Sequence, residues 1–136
     1  QEENLNNLIF WDPMPKLELE NLLQEVDLGL MILKNIPAFY YGTSPNKFFD
    51  YIASGLPVLV NYPGWLADLI NQNNCGVTVP PETPQAFARA LIELSQDPEK
   101  LKQMGEAARA LARREFSRET LARQFVRCVE TLEHYE

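Results

Sequence analysis

A doubly wound α/β domain is what the apolar pattern of this 136-residue chain implies. Short apolar runs alternate with segments of helical period, joined by short connections, as in parallel strands linked by right-handed crossovers. Two of the runs, DLGLMIL (27–33) and PVLV (57–60), are apolar almost throughout, as strands covered on both faces are. The last third of the chain carries helical periodicity alone. The expected order is βαβαβαβ and then three helices. That makes one domain over residues 1–136, with about four strands and helices on both faces of the sheet.

Each element has its own signal. LIFW (8–11), closed by Asp12 and Pro13, reads as the first strand. In the helix expected over 15–26, Leu19, Leu22, Leu23 and Val26 fall at helical spacing. DLGLMIL is the second strand, and KNIPAFYYGT (34–43) reads as loop. Ser44 as cap and Pro45 at the first helical position start a helix that runs to about Ser54 and stops at Gly55. PVLV is the third strand and NYPG (61–64) a turn. The next helix, 65–74, turns Trp65, Leu66, Leu69 and Ile70 inward and is broken by Asn74 and Gly76. GVTV (76–79) is the fourth strand. Thr83 and Pro84 open a helix with the stripe Phe87, Leu91 and Leu94. Asp97 and Pro98 open another, with Leu101, Met104, Ala108 and Leu111. Ser117 caps the last, whose stripe Leu121, Phe125, Cys128 and Leu132 puts Cys128 on a core face.

Composition narrows the function. The net charge of -7 disfavours wrapping nucleic acid, which asks for clustered Lys and Arg. Cys75, Cys128 and the single histidine, His134, have no metal-ligand spacing, so no metal is expected; the cysteines read as thiols of a reducing compartment. His134 reads as a solvated tail residue. No apolar run approaches the roughly 18 residues of a membrane span, and the opening residues do not read as a signal peptide. QEENLNN (1–7) reads as a frayed start or as a cut made inside a longer protein.

Ligands of doubly wound folds bind at the carboxyl ends of the strands. That rule selects the loops Asp12–Pro15, Lys34–Ser44, Asn61–Gly64 and Pro80–Thr83. The second leads into SPNKFFDYIASG (44–55). Phe48, Phe49, Ile52 and Ala53 form the apolar side of its helix, while Lys47, Asp50 and Ser54 share the other. A helix N-terminus carries partial positive charge and exposed N–H groups. Gly42, Thr43 and Ser44 let the backbone approach a ligand, and Lys47 adds a full charge, so the turn can hold a phosphate or diphosphate. Asp50 can accept hydrogen bonds from vicinal sugar hydroxyls. A nucleotide sugar supplies both partners. The plainer alternative is that Lys47 and Asp50 form an exposed i,i+3 ion pair, contributing a few tenths of a kcal/mol, and that Ser44 and Pro45 only cap. Neither GxxxxGK[ST] nor GxGxxG occurs.

NLIFWDPMPKLELENLLQEVDLGLMIL (7–33) resembles the v-x-F-x-G-x-v…l…l…aDvgl-v-p run of group 1 glycosyltransferases, also called glycosyltransferase family 4, of the GT-B fold. SPNKFFDYIASGLPVLVNYPGWLADLINQNNCGVTVPP (44–81) is similar to that family's P-x-K-x-x-E-Y-x-A-x-G-x-P-V, G-G turn and G-x-x-v-p. MGEAARALARREFSRETLARQF (104–125) is similar to its closing mg-x-x-a-r…f-s-w…a. The resemblance covers nearly the whole chain in order. It implies a Rossmann-like C-terminal half-domain that binds a nucleotide-diphosphate sugar without a cofactor. It also implies transfer of the sugar with retention of configuration to a glycan or lipid-linked acceptor, as in cell-surface polysaccharide biosynthesis.

The second glutamate of the family's E-x7-E motif matches Asp50 and implies contact with the ribose hydroxyls, through water because Asp is one methylene shorter. The first falls on Gly42, a departure shared with the P-x-K branch whose lysine Lys47 matches. Asn46, in the same turn, is counted with Gly42, Thr43, Ser44, Lys47 and Asp50 as donor-binding. Pro13 and Met14 are the expected nucleotide-base loop. The family's acceptor site and catalytic histidine or acid lie in another, N-terminal domain, so no catalytic residue is assigned here. The chain thus reads as a fragment that begins inside its domain, inactive alone and inclined to self-associate through an unprotected edge or apolar face.

Arg109, Arg113, Arg114, Arg118, Arg123 and Arg127 read as a solvated helix face with i,i+4 pairs, or as a basic surface drawn to anionic lipid in a cytoplasmic protein peripheral to the inner membrane. Phe39, Tyr40 and Tyr41 lie on the ligand side. Two rival functions share the fold. One is a GT-B sugar-nucleotide epimerase. The other is a non-catalytic signalling or binding module, although Asp12 has no adjacent acid and LPVLVNYPG ends without an aspartate.

Overall fold

The computed structural model describes residues 5–132, so the readings of residues 1–4 and of His134 lie outside it. Its centre is a parallel sheet in the order β1 (Gly29–Met31), β2 (Val58–Val60), β3 (Gly76–Thr78). Leu30 stands beside Leu59, and Leu59 beside Val77. All three strands fall inside the expected runs. Successive side chains of a strand point to opposite faces, and β2 shows it. Val58 and Val60 enter one core with Met31, Phe48, Ile52, Leu66, Ile70, Ala108 and Leu111. Leu59 enters a second with Val79, Ala90 and Leu94. The wholly buried β2 is therefore covered on both faces.

Helices supply those covers. On the first face lie α3 (Asn46–Ser54), α4 (Trp65–Asn73) and part of α6 (Pro98–Glu115); α5 (Pro84–Ser95) closes the second. The Asp97 carboxylate accepts from the Lys100 N–H at 3.0 Å and starts α6. Ser117 does the same for α7 (Arg118–Leu132), accepting from the Thr120 N–H at 3.1 Å. Helix α3 ends at Gly55, which is left-handed with φ 78°. There α6 crosses closely: a Cβ on Gly105 would stand 2.4 Å from the Gly55 carbonyl oxygen. One turn on, Arg109 donates from Nη2 to the Ser54 carbonyl at 2.7 Å, capping the end of α3.

Five expectations need correction. LIFW pairs with no strand among the described residues; Phe10 is 86% and Trp11 59% exposed. The sheet has three strands rather than four, because an apolar run becomes a strand only beside a neighbour that completes its ladder. The helix expected over 15–26 is α1 (Lys16–Leu22), with Leu23 buried but Val26 exposed. The loop 34–43 contains a short helix, α2 (Pro37–Tyr40), begun by Pro37. Ser44 is not the cap of α3: Pro45, extended at ψ 132°, takes that place without a side-chain bond, and Asn46 begins the helix. Finally, the α7 stripe is not a core face. Leu121 and Phe125 are 45% and 71% exposed, and Cys128 is exposed.

Candidate functional site

The loops at the carboxyl edge of the sheet are tied together by side chains that periodicity does not reveal. Just past β2, Asn61 accepts from the Leu33 N–H at 2.8 Å and donates to the Leu33 carbonyl at 3.0 Å. This two-way bond extends the β1–β2 ladder by one side chain. The Trp65 indole donates to the Thr43 carbonyl at 3.0 Å and fixes the approach to α3. Gly64 has φ 118°, and a Cβ there would stand 2.5 Å from the Tyr40 carbonyl oxygen, so this turn requires glycine. Tyr40 stacks on Tyr62 at 6.1 Å and hydrogen-bonds Asn35. The Tyr62 hydroxyl is buried without a protein partner among the described residues. Burial pushes the phenols of both tyrosines above the usual range, with Glu82 adding to the shift of Tyr40.

Helix α3 rises from this platform. Phe48 and Ile52 are fully buried, which turns Lys47 and Asp50 outward. These two do not pair with each other. The Asp50 Oδ1 lies 3.7 Å from Lys16 Nζ, at the start of α1, and Lys47 has no carboxylate partner among the described residues. The Lys16 and Asp50 side chains are 73% and 37% exposed, so the pair contributes no more than about 1 kcal/mol. Its worth is positional: it brings Asp50 beside the first turn of α1, two residues after Met14. Asp50 and Ser54 then line one wall of a groove of about 320 Å³, facing Lys16 and Glu20 of α1 and Gln24 just past its end.

The other candidates are spread more widely. Asn46 and Ser44 are exposed. The Thr43 carbonyl is taken by Trp65, and its hydroxyl bonds to Phe39. Gly42 is exposed, and a Cβ there would meet nothing within 4 Å, so the fold itself does not demand glycine at that position. Pro13 is exposed and Met14 half-buried. Lys16 escaped the sequence reading, although a lysine in the first turn of a helix is a signal of the kind that selected Lys47. Asn61 lay in a selected turn, but nothing in the order of residues shows that it bonds across to Leu33. The arrangement offers lysine charge for an anion and a carboxylate for hydroxyl hydrogens. No cluster of metal-ligating side chains, and no helix long and apolar enough to cross a membrane, occurs among the described residues.

Comparison with known proteins gives one consistent result. The family model for glycosyl transferases, group 1, matches residues 1–111. The amylovoran biosynthesis glycosyltransferase AmsK of Erwinia amylovora is 29% identical over 118 residues, which is 87% of this chain and 29% of AmsK. The chain thus spans under a third of that relative's length. Sucrose-phosphate synthase from Thermosynechococcus elongatus superposes with a TM-score of 0.76 at 20% identity, over 94% of this chain and 31% of that one, a likeness of fold. The chain belongs to the group 1 glycosyltransferases.

Proposed function

We propose that this chain is the donor-binding part of a retaining glycosyltransferase. It holds a nucleotide-diphosphate sugar whose sugar passes to a glycan or lipid-linked acceptor, in polysaccharide biosynthesis. The observation that carries this reading is the position of Asp50. It stands on the solvent side of α3, paired to Lys16 beside the loop of Pro13 and Met14. A carboxylate there suits the ribose hydroxyls, with the base over Pro13 and Met14. Lys47 and the N-terminal turn of α3 from Asn46 suit the diphosphate, approached past Gly42, Thr43 and Ser44. The two free thiols fit a reducing compartment, and the proposal places the protein in the cytoplasm, peripheral to the inner membrane. No metal or other cofactor takes part. The acceptor site and the catalytic group are not among these residues, so the chain alone transfers no sugar.

Saturation-transfer NMR with UDP-, GDP- and ADP-sugars tests this. One nucleotide should show strong transfer to its ribose and base protons. Asp50→Asn and Lys47→Ala should each weaken binding about tenfold, the loss expected for one charged hydrogen bond. Equal affinity in both variants would overturn the site, and turnover of a nucleotide sugar by this polypeptide would overturn the division of labour.

A further inference from the structure

A second site lies on the flank of α3 that faces α6 and shares only Asp50 with the donor reading. A groove of about 410 Å³ lies between α3 and the corner where α6 meets α7. Arg109, Arg113 and Arg118 line it, on a chain whose net charge is -7. Phe49 and Phe116 form its apolar wall, packed edge to face at 5.1 Å. Arg109 is already held by the Ser54 carbonyl, so one guanidinium is fixed in place. Arg113 and Arg118 are exposed and have no carboxylate partner among the described residues, unlike Arg114 and Arg123, which pair with Glu115 and Glu119. Asp50 is the only carboxylate lining the groove, and its charge is shared with Lys16 on the other flank. The positive end of α7 opens at the same corner, behind the Ser117 cap.

We propose that this groove binds a phosphate group, gripped by Arg113 and Arg118 with Arg109 behind them, while Phe49 and Phe116 cover the carbon part of the molecule that bears it. Guanidinium groups match phosphate oxygens in pairs, and the site has more arginine than its neighbours can neutralise. The phosphate belongs to a free organic phosphate or to a lipid headgroup. Leu121 and Phe125 follow Arg118 at i+3 and i+7, so an exposed apolar strip leads away from the groove.

The full chain, labelled with nitrogen-15, is titrated with inorganic pyrophosphate, and in parallel sedimented with vesicles of phosphatidylglycerol or of phosphatidylcholine. Saturable shifts are expected at the amides of Arg113, Phe116, Ser117 and Arg118. Arg113→Gln with Arg118→Gln should lower the affinity at least about tenfold, while Arg123→Gln with Arg127→Gln, the same charge change outside the groove, should leave it unaltered. A headgroup source adds retention on phosphatidylglycerol vesicles alone, lost in the groove double variant; a free-phosphate source gives the shifts without retention. Shifts confined to Asn46 and Lys47 would overturn the groove and leave the donor reading intact. Binding that the groove double variant keeps, or no binding by either probe, would also overturn it.

Discussion

Helices α3 and α7 carry apolar stripes of similar regularity and meet opposite fates. In α3 the centre of the stripe is sealed: Phe48 and Ile52 have no exposed surface and pack against β2, α4 and α6, while Phe49 at its margin is half-buried and Ala53 is exposed. In α7 the stripe is open, with Phe125 71% exposed. Periodicity reports that a helix has an apolar face. It does not report what covers that face, because the cover is set by residues far away in sequence. Truncation separates the two cases most sharply. Phe48→Ala should destabilise by about 3–5 kcal/mol, since it empties a site bounded on all sides. Phe125→Ala should change stability by no more than about 0.5 kcal/mol. Chemical denaturation of both variants checks this, and a large loss at Phe125 would mean that a second copy covers α7 in solution.

The same contrast limits what could be read from the order of residues. Asp97 and Ser117 as caps and Gly55 as the stop of α3 were legible because each depends on neighbours close in the chain, and the three strands because their apolar runs do find partners in the sheet. LIFW misled for the reason α7 did: its apolar run is real, but no strand lies beside it. The geometry of the candidate site was legible by half. Lys47 and Asp50 were placed on the outer side of α3 by the spacing of Phe48 and Ile52. Their pairing was not, since the partner of Asp50 is Lys16, brought in from another helix. The short helix α2 was missed because four residues carry too little pattern to show.

Glycines extend the comparison to the backbone, at a smaller scale. Gly76 lies beside Val58 in the sheet, and a Cβ there would stand 1.9 Å from the Val58 carbonyl oxygen. Gly42 sits in the loop between α2 and α3, where a Cβ would meet nothing within 4 Å. Gly76→Ala should cost about 1–3 kcal/mol as the strands part. Gly42→Ala should be neutral or stabilise by a few tenths of a kcal/mol, through the lower entropy of the unfolded chain. If Gly42→Ala instead weakens nucleotide-sugar binding at unchanged stability, close backbone approach is the reason for glycine there. Calorimetric melting beside ligand titration measures both effects.

The two cysteines give the smallest effect and sample both regions at once. Cys75 is wholly buried between α4 and β3, and burial pushes its thiol up to about 11 from an ordinary 9.0. Cys128 is exposed on α7. A thiol reagent at pH 8 should therefore modify Cys128 in the folded protein and reach Cys75 only after denaturation, as mass spectrometry of the peptides would show. The pH dependence has a definite sign. The folded protein keeps the Cys75 proton where the unfolded chain has given it up, so this contribution to stability is whole below pH 9.0 and is lost as the pH climbs towards about 11. Cys75→Ser should flatten that alkaline decline relative to the parent protein, and Cys128→Ser should leave it unchanged. Equal labelling of both thiols in the folded state would break the distinction between a sealed face and an open one.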